Sequence, residues 1–170
     1  MHTIGRLQIY FILALALLLQ VTVLRHIAIF GVRPDLLVML AVFFGLFLGP
    51  GRGLETGIVA GALADLFALD FFGIHIFIFG LTGLLAGILG TKFSRDSART
   101  RCLLVAVLTA FSMALHFFIA SIFSGWIGLS FGGYFLGSVF PVCIYTALIS
   151  IPIFFKLIEI YGLRGSEEYL

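Results

Sequence analysis

The sequence predicts an all-α fold, a polytopic membrane bundle of six transmembrane helices forming a single domain over residues 1–170. Three observations predict it. The chain is 62% hydrophobic and 11% charged, with a mean hydropathy of +1.23, against about 45–50% apolar and about 25% charged in soluble domains. Charges and turn residues cut it into six apolar segments, most of them near the ~20 residues that span a bilayer. The cations alternate by side. Arg6, Arg52, Lys92, Arg95, Arg99, Arg101, Lys156 and Arg164 fall on the side of the N-terminus, and only Arg25 and Arg33 on the other; together they are the chain's 10 Lys+Arg. Cytoplasmic loops carry the excess of Lys and Arg, so both termini are expected in the cytoplasm. Five or seven spans would mix the two groups.

The first segment, residues 7–24, follows Arg6 and resembles a secretory signal. Its apolar run is longer than a usual signal core, and "RHIAIFGVRPD" contains no small-x-small cleavage pattern, so an uncleaved helix is expected. The second, 35–49 ("DLLVMLAVFFGLFLG"), is short for a span, which implies local thinning of the bilayer or an earlier start. "GVRP" precedes it, and proline suits a first helical turn. "GPGRG" reads as a break before the third segment, 54–70. "DFFG" turns into the fourth, 74–92. "KFSRDSARTR" is the one polar loop, net positive, suited to fixing topology and touching anionic headgroups, or to docking a cytoplasmic partner. The fifth segment is 102–123. "SGWIGLSFGG" then carries no charge, and Trp126 and Tyr134 suit an interfacial belt. The sixth, 133–156, contains Pro141 and Pro152 and is expected to kink. The tail "LRGSEEYL" is polar.

The third and fourth segments carry strips of small residues. Gly53, Gly57 and Gly61 repeat every four residues and share one helical face, extended by Ala64 and Asp65. Gly80, Gly83, Gly87 and Gly90 form a second strip. In lipid, small residues let helix backbones approach. Two readings stay open: the strips pack against helices of the same chain, or they form a groove for a partner's transmembrane helix. Glu55 and Asp70 fall near opposite membrane surfaces, whereas Asp65 falls at depth, in the outer half. His116, with Thr109 and Ser112 on its face, falls in the outer half too. Arg33 and Asp35 open the second helix outside, His75 opens the fourth, and Gln20 and Thr22 end the first. Arg33, Asp35, Asp65 and His116 are therefore the candidate outer polar site. Ionisable groups at membrane depth pair with one another or line a cavity, so this cluster is either structural or functional.

Other chemistry finds little support. There is no HExxH zinc motif and no GxSxG nucleophile elbow. Asp65 and Asp70 are five residues apart, on diverging helix faces. Cys102 and Cys143 sit in apolar runs without metal spacing and read as buried thiols. No enzyme activity, metal or cofactor is expected. The small net charge of +2 and scattered cations leave no footprint for nucleic acid.

The stretch "GVRPDLLVMLAVFFGLFLGPGRGLETGIVAGALADLFALDFFGIHIF" resembles the signature half of the rod-shape-determining MreD family. That family opens its second helix with an "RPDLL" box, here Arg33, Pro34 and Asp35. A G-x-x-x-G-x-x-x-G-x-x-x-D helix follows, here Gly53, Gly57, Gly61 and Asp65, and then an "FG" turn, here Phe72 and Gly73. The match covers residues 30–90 well, and the last two helices mainly in hydropathy. The resemblance implies a non-enzymatic scaffold of the bacterial cell-elongation (rod) complex, in the cytoplasmic (inner) membrane, with a part in cell shape and peptidoglycan synthesis. It implies MreC as partner, through that protein's transmembrane helix, within an assembly that includes MreB, RodA and penicillin-binding protein 2. The family's six-helix fold is similar to the substrate-binding subunits of energy-coupling-factor transporters. The alternative is therefore a vitamin-capturing transport subunit. Those subunits usually carry an Ala-x-x-x-Ala face on helix 1. Here Ala14 and Ala16 are two apart and Leu18 stands where a second alanine would be, which disfavours transport.

Overall fold

A computed structural model describes residues 5–22, 33–68, 72–92, 97–124 and 131–162. Arg25, Asp70, Arg95, Trp126, Arg164 and the polar tail lie outside the described residues, and the Tyr134 side chain is likewise not described. The elements are α1 (Arg6–Thr22), α2 (Leu36–Leu48), α3 (Pro50–Asp65), α4 (Ile74–Lys92), α5 (Ala98–Ser124), α6 (Phe131–Tyr134) and α7 (Phe140–Tyr161). A π-helical turn, Phe135–Val139, joins α6 to α7 in one continuous helical run. There is no strand among the described residues.

The core forms around α2. Its sequence is apolar on every face, so it satisfies the hydrophobic effect only when surrounded. It packs against α1, α3, α4, α5 and α7, and every residue from Leu36 to Leu46 is buried. Phe43 anchors it, with ring centroids 4.8 Å from Phe154 of α7, 4.8 Å from Phe47 and 5.3 Å from Phe44. This explains why so short an apolar helix exists. At 13 residues it is roughly 20 Å long, but its neighbours rather than lipid cover it.

The "GPGRG" run does not break the helix as expected. α3 starts inside it at Pro50. Proline at a first helical position loses no intrahelical bond, and a single residue, Gly49, makes the turn from α2. Gly49 sits at φ +91°, in the region glycine adopts without steric penalty. Its N–H donates to the Gly45 carbonyl at 2.9 Å, and its own carbonyl accepts from Gly53. α3 also ends at Asp65, five residues short of the expected boundary, because a turn begins at Leu66. α5 begins at Ala98, taking in the end of the polar loop. Pro141 lies in the first turn of α7, just after the π-helical turn, while Pro152 is inside the helix.

Among the described residues, three helices are long and apolar enough to cross a membrane: Ile74–Lys92, Arg99–Ile122 and Gly137–Tyr161. α1 and α2 are shorter apolar helices. Two ends can be recognised. At one, Leu7 and Gln8 meet Tyr161, Arg6 meets Glu55, and Arg101 lies near Lys156. At the other, Gln20, Arg33, Asp35, Met113 and Val142 converge.

Candidate functional site

The glycine strips of α3 and α4 face each other. A Cβ on Gly53 would run into the Gly83 carbonyl oxygen, and one on Gly83 into that of Gly53. A Cβ on Gly57 would strike the Phe79 carbonyl, and one on Gly61 the His75 carbonyl. Each step of four up α3 is a step of four down α4, the register of an antiparallel hairpin. Gly87 extends the contact to Pro50, and Gly45 of α2 presses on the same α4 backbone at Gly83. Gly80 differs, since the nearest atom to its Cβ position is in the Ile58 side chain, at 3.2 Å. Gly53, Gly57, Gly61, Gly83 and Gly87 are thus covered by this chain's own backbone, which fills the groove that a partner helix would need.

Asp65 closes the same hairpin. Its Oδ2 accepts from the Gly73 N–H at 2.9 Å and the Ile76 N–H at 3.3 Å. Its Oδ1 accepts from the His75 N–H at 3.2 Å and lies 2.8 Å from His75 Nδ1. The carboxylate, with no exposed side-chain surface, therefore caps the first turn of α4 from across the connection. Helix N-termini present unpaired N–H groups and a positive dipole end. A buried carboxylate is tolerated where its partners are supplied, and here the turn supplies them. Gly73 at φ +103° gives the chain the reversal that aims its N–H at Asp65.

His75 carries this polar group into a cavity. Its ring lies 5.1 Å from that of His116 and 5.5 Å from Phe79. His75, His116, Asp35 and Ser112 line a cavity of about 240 Å³. A neighbouring cavity of about 490 Å³ shares Asp35 and Met113 with it, and adds Gln20 and Arg33. The structure therefore gathers Asp35, His116 and Arg33 around adjoining cavities, with Asp65 behind His75. Asp35 is also the cap of α2, accepting from Leu37 and Val38 N–H at 3.1 Å each. Its own N–H donates to Thr146 Oγ1 of α7, and the Leu36 N–H to Gln20 Oε1 of α1, both at 3.1 Å. One end of α2 is thus pinned to two other helices.

Sequence reasoning missed the polar cluster at the opposite end. Glu55 Oε1 accepts from Tyr10 Oη at 2.5 Å and pairs with Arg6 Nε at 3.1 Å, and Glu55 Oε2 lies 3.6 Å from Arg52. The signal was the Arg6–Tyr10 spacing of four, which sets both on one face of α1 toward an acid on another helix. Thr146 and Ser150, buried on α7 at the same spacing, were missed too. Cys102 and Cys143 are free thiols. No group of His, Cys, Asp and Glu among the described residues could hold a metal ion.

A family model described as "rod shape-determining protein MreD" matches residues 1–163. The chain belongs to the MreD family. That family is one of shape-determining membrane proteins rather than a known family of enzymes. With the three long apolar helices, membership makes this a membrane protein with a role in rod shape determination. No curated protein and no solved structure matches the chain, so the similarity to transport subunits, and the transport alternative with it, has no support.

Proposed function

We propose that this protein is a non-enzymatic scaffold of the cell-elongation complex, crossing the cytoplasmic membrane six times with both termini in the cytoplasm. It binds the transmembrane helix of MreC and so helps to position the peptidoglycan-synthesising machinery, with MreB, RodA and penicillin-binding protein 2 in the wider assembly. The family match over residues 1–163 is the observation that carries this reading. The charge distribution supports it: Arg6, Arg52, Lys92, Arg99, Arg101 and Lys156 share the end where the N-terminus of α1 meets the C-terminus of α7, and Arg33 is at the other. An excess of cations marks the cytoplasmic side.

The packing of the glycine faces supports a partner surface elsewhere on the chain. With the glycine faces turned inward, the partner's surface is made of outward apolar side chains such as Phe11 and Leu18 of α1 or Val107 and Phe118 of α5. The outer polar site formed by Arg33, Asp35, Asp65 and His116 then works mainly from within, holding the α2 start and the α3–α4 turn in place.

Affinity purification of the full chain in mild detergent, followed by mass spectrometry, tests the proposal. Recovery of MreC is the expected result. Recovery of an ATPase module or of a bound vitamin in its place would overturn it.

A further inference from the structure

Between α5 and α7, at the cation-rich end, lies a groove of about 420 Å³. It runs along α7 beside Pro152, which lies inside the helix. Proline cannot donate to the carbonyl four residues back, so α7 lacks one intrahelical bond beside the groove. The walls are apolar. Phe154 forms the buried floor, while Ile151 and Phe155 stand at the rim with 46% and 59% of their surface exposed. The polar atoms within it are used internally: Ser150 Oγ donates to the Ala147 carbonyl at 2.6 Å, and Cys102 Sγ to the same carbonyl at 3.6 Å. Two cations, Arg101 and Lys156, complete the lining. Lys156 Nζ lies 3.6 Å from Glu159, with both side chains exposed. Such a surface pair is weak and leaves the ammonium available to a stronger anion.

Both helices are among the three long enough to cross a membrane, and both cations sit near the ends of those spans. An apolar slot between two such helices, lined also by two cations near the helix ends, complements a molecule with an acyl chain and a phosphate head. We propose that this groove binds one anionic phospholipid of the surrounding leaflet, its acyl chain lying against Ile151 and Phe155 and its phosphate held between Arg101 and Lys156. This rests on the membrane-spanning reading. Cations at such positions reach the headgroup level by extending their side chains, and basic pockets between helices are suited to anionic headgroups.

The test uses the full chain in a neutral detergent, with dioleoylphosphatidylglycerol, dioleoylphosphatidylcholine or inorganic phosphate added. Phosphatidylglycerol is expected to raise Tm by roughly 2–4 °C, and the other two to leave it unchanged. The double variant Arg101→Gln/Lys156→Gln, measured against its own lipid-free Tm, is expected to lose that rise. Equal shifts from both lipids, a shift from inorganic phosphate alone, or an undiminished shift in the variant would overturn the proposal. Should the variant not fold, native mass spectrometry of the wild-type chain decides: preferential retention of one phosphatidylglycerol over phosphatidylethanolamine supports the site, and equal retention overturns it. Failure of the spanning reading shows separately, as release of the protein from membranes by alkaline carbonate without detergent.

Discussion

The α3–α4 hairpin and the α5–α7 pair solve the same problem in different ways. Each includes at least one helix long and apolar enough to cross a membrane, where water gives little drive for helix association. In α3–α4 the side chains are removed from the contact, so backbone meets backbone at Gly53–Gly83, Gly57–Phe79 and Gly61–His75, and a buried carboxylate caps the turn. In α5–α7 a side chain, Cys102, reaches the Ala147 carbonyl across the contact, a proline lies inside one helix, and a groove remains. The first arrangement has no slack, because a carbonyl oxygen cannot rotate away as a side chain can. The second has room to accept a ligand or a substitution. A membrane protein gains rigidity from glycine only where the partner surface is fixed, and keeps adaptability where side chains mediate the contact.

Substitutions can break or sharpen this contrast. Gly83→Leu has the largest expected effect. Leucine there must displace the backbone of Gly53, and overpacking against an immovable neighbour falls at or beyond the upper end of the usual range, about 3 kcal/mol or more. Little monodisperse protein is expected by size-exclusion chromatography in detergent. Asp65→Leu comes next. It strips acceptors from the first turn of α4, and a lost cap with buried N–H groups left unpaired costs about 2–3 kcal/mol. The protein is expected to fold with a clearly lowered Tm, and Asp65→Asn, which retains one carbonyl oxygen, to lie between the two. Phe155→Ala on the groove rim is the smallest. It removes a half-exposed side chain and is expected to change stability by within about 0.5 kcal/mol in thermal unfolding. A fall as large as that of Asp65→Leu would show that the α5–α7 contact is as tightly fitted as the hairpin.

Much of this contrast was legible in the sequence. Gly53, Gly57 and Gly61 at intervals of four lie on one face by helical geometry alone, and so did the expectation that a face so smooth meets another backbone. The sequence left open whose backbone, because spacing within one helix carries no information about its neighbour. Asp65 was legible as an acid within an apolar stretch, but its partners were not. All four of its bonds go to residues 73–76, three to main-chain N–H groups and one to the His75 ring, and main-chain donors have no signature in side-chain pattern. The boundaries of α3 were misjudged for a local reason. "GPGRG" contains the strongest helix breakers, yet only Gly49 breaks the helix, while Pro50 begins one. The burial of α2 was hinted at by its uniform apolarity and its length, two features that a membrane span shares. The Tyr10–Glu55 contact needed the placement of α1 against α3, which no periodicity supplies.

The central claim is that the glycine face of α3 holds this chain together rather than a partner. Gly57→Leu tests it directly, with thermal unfolding and MreC recovery measured on the same detergent-purified sample. A loss of the folded, monodisperse protein, with MreC recovery failing only as a consequence, is the result predicted here. A variant that keeps the wild-type Tm and elution profile yet no longer recovers MreC would contradict it, and would make the strip a docking face after all.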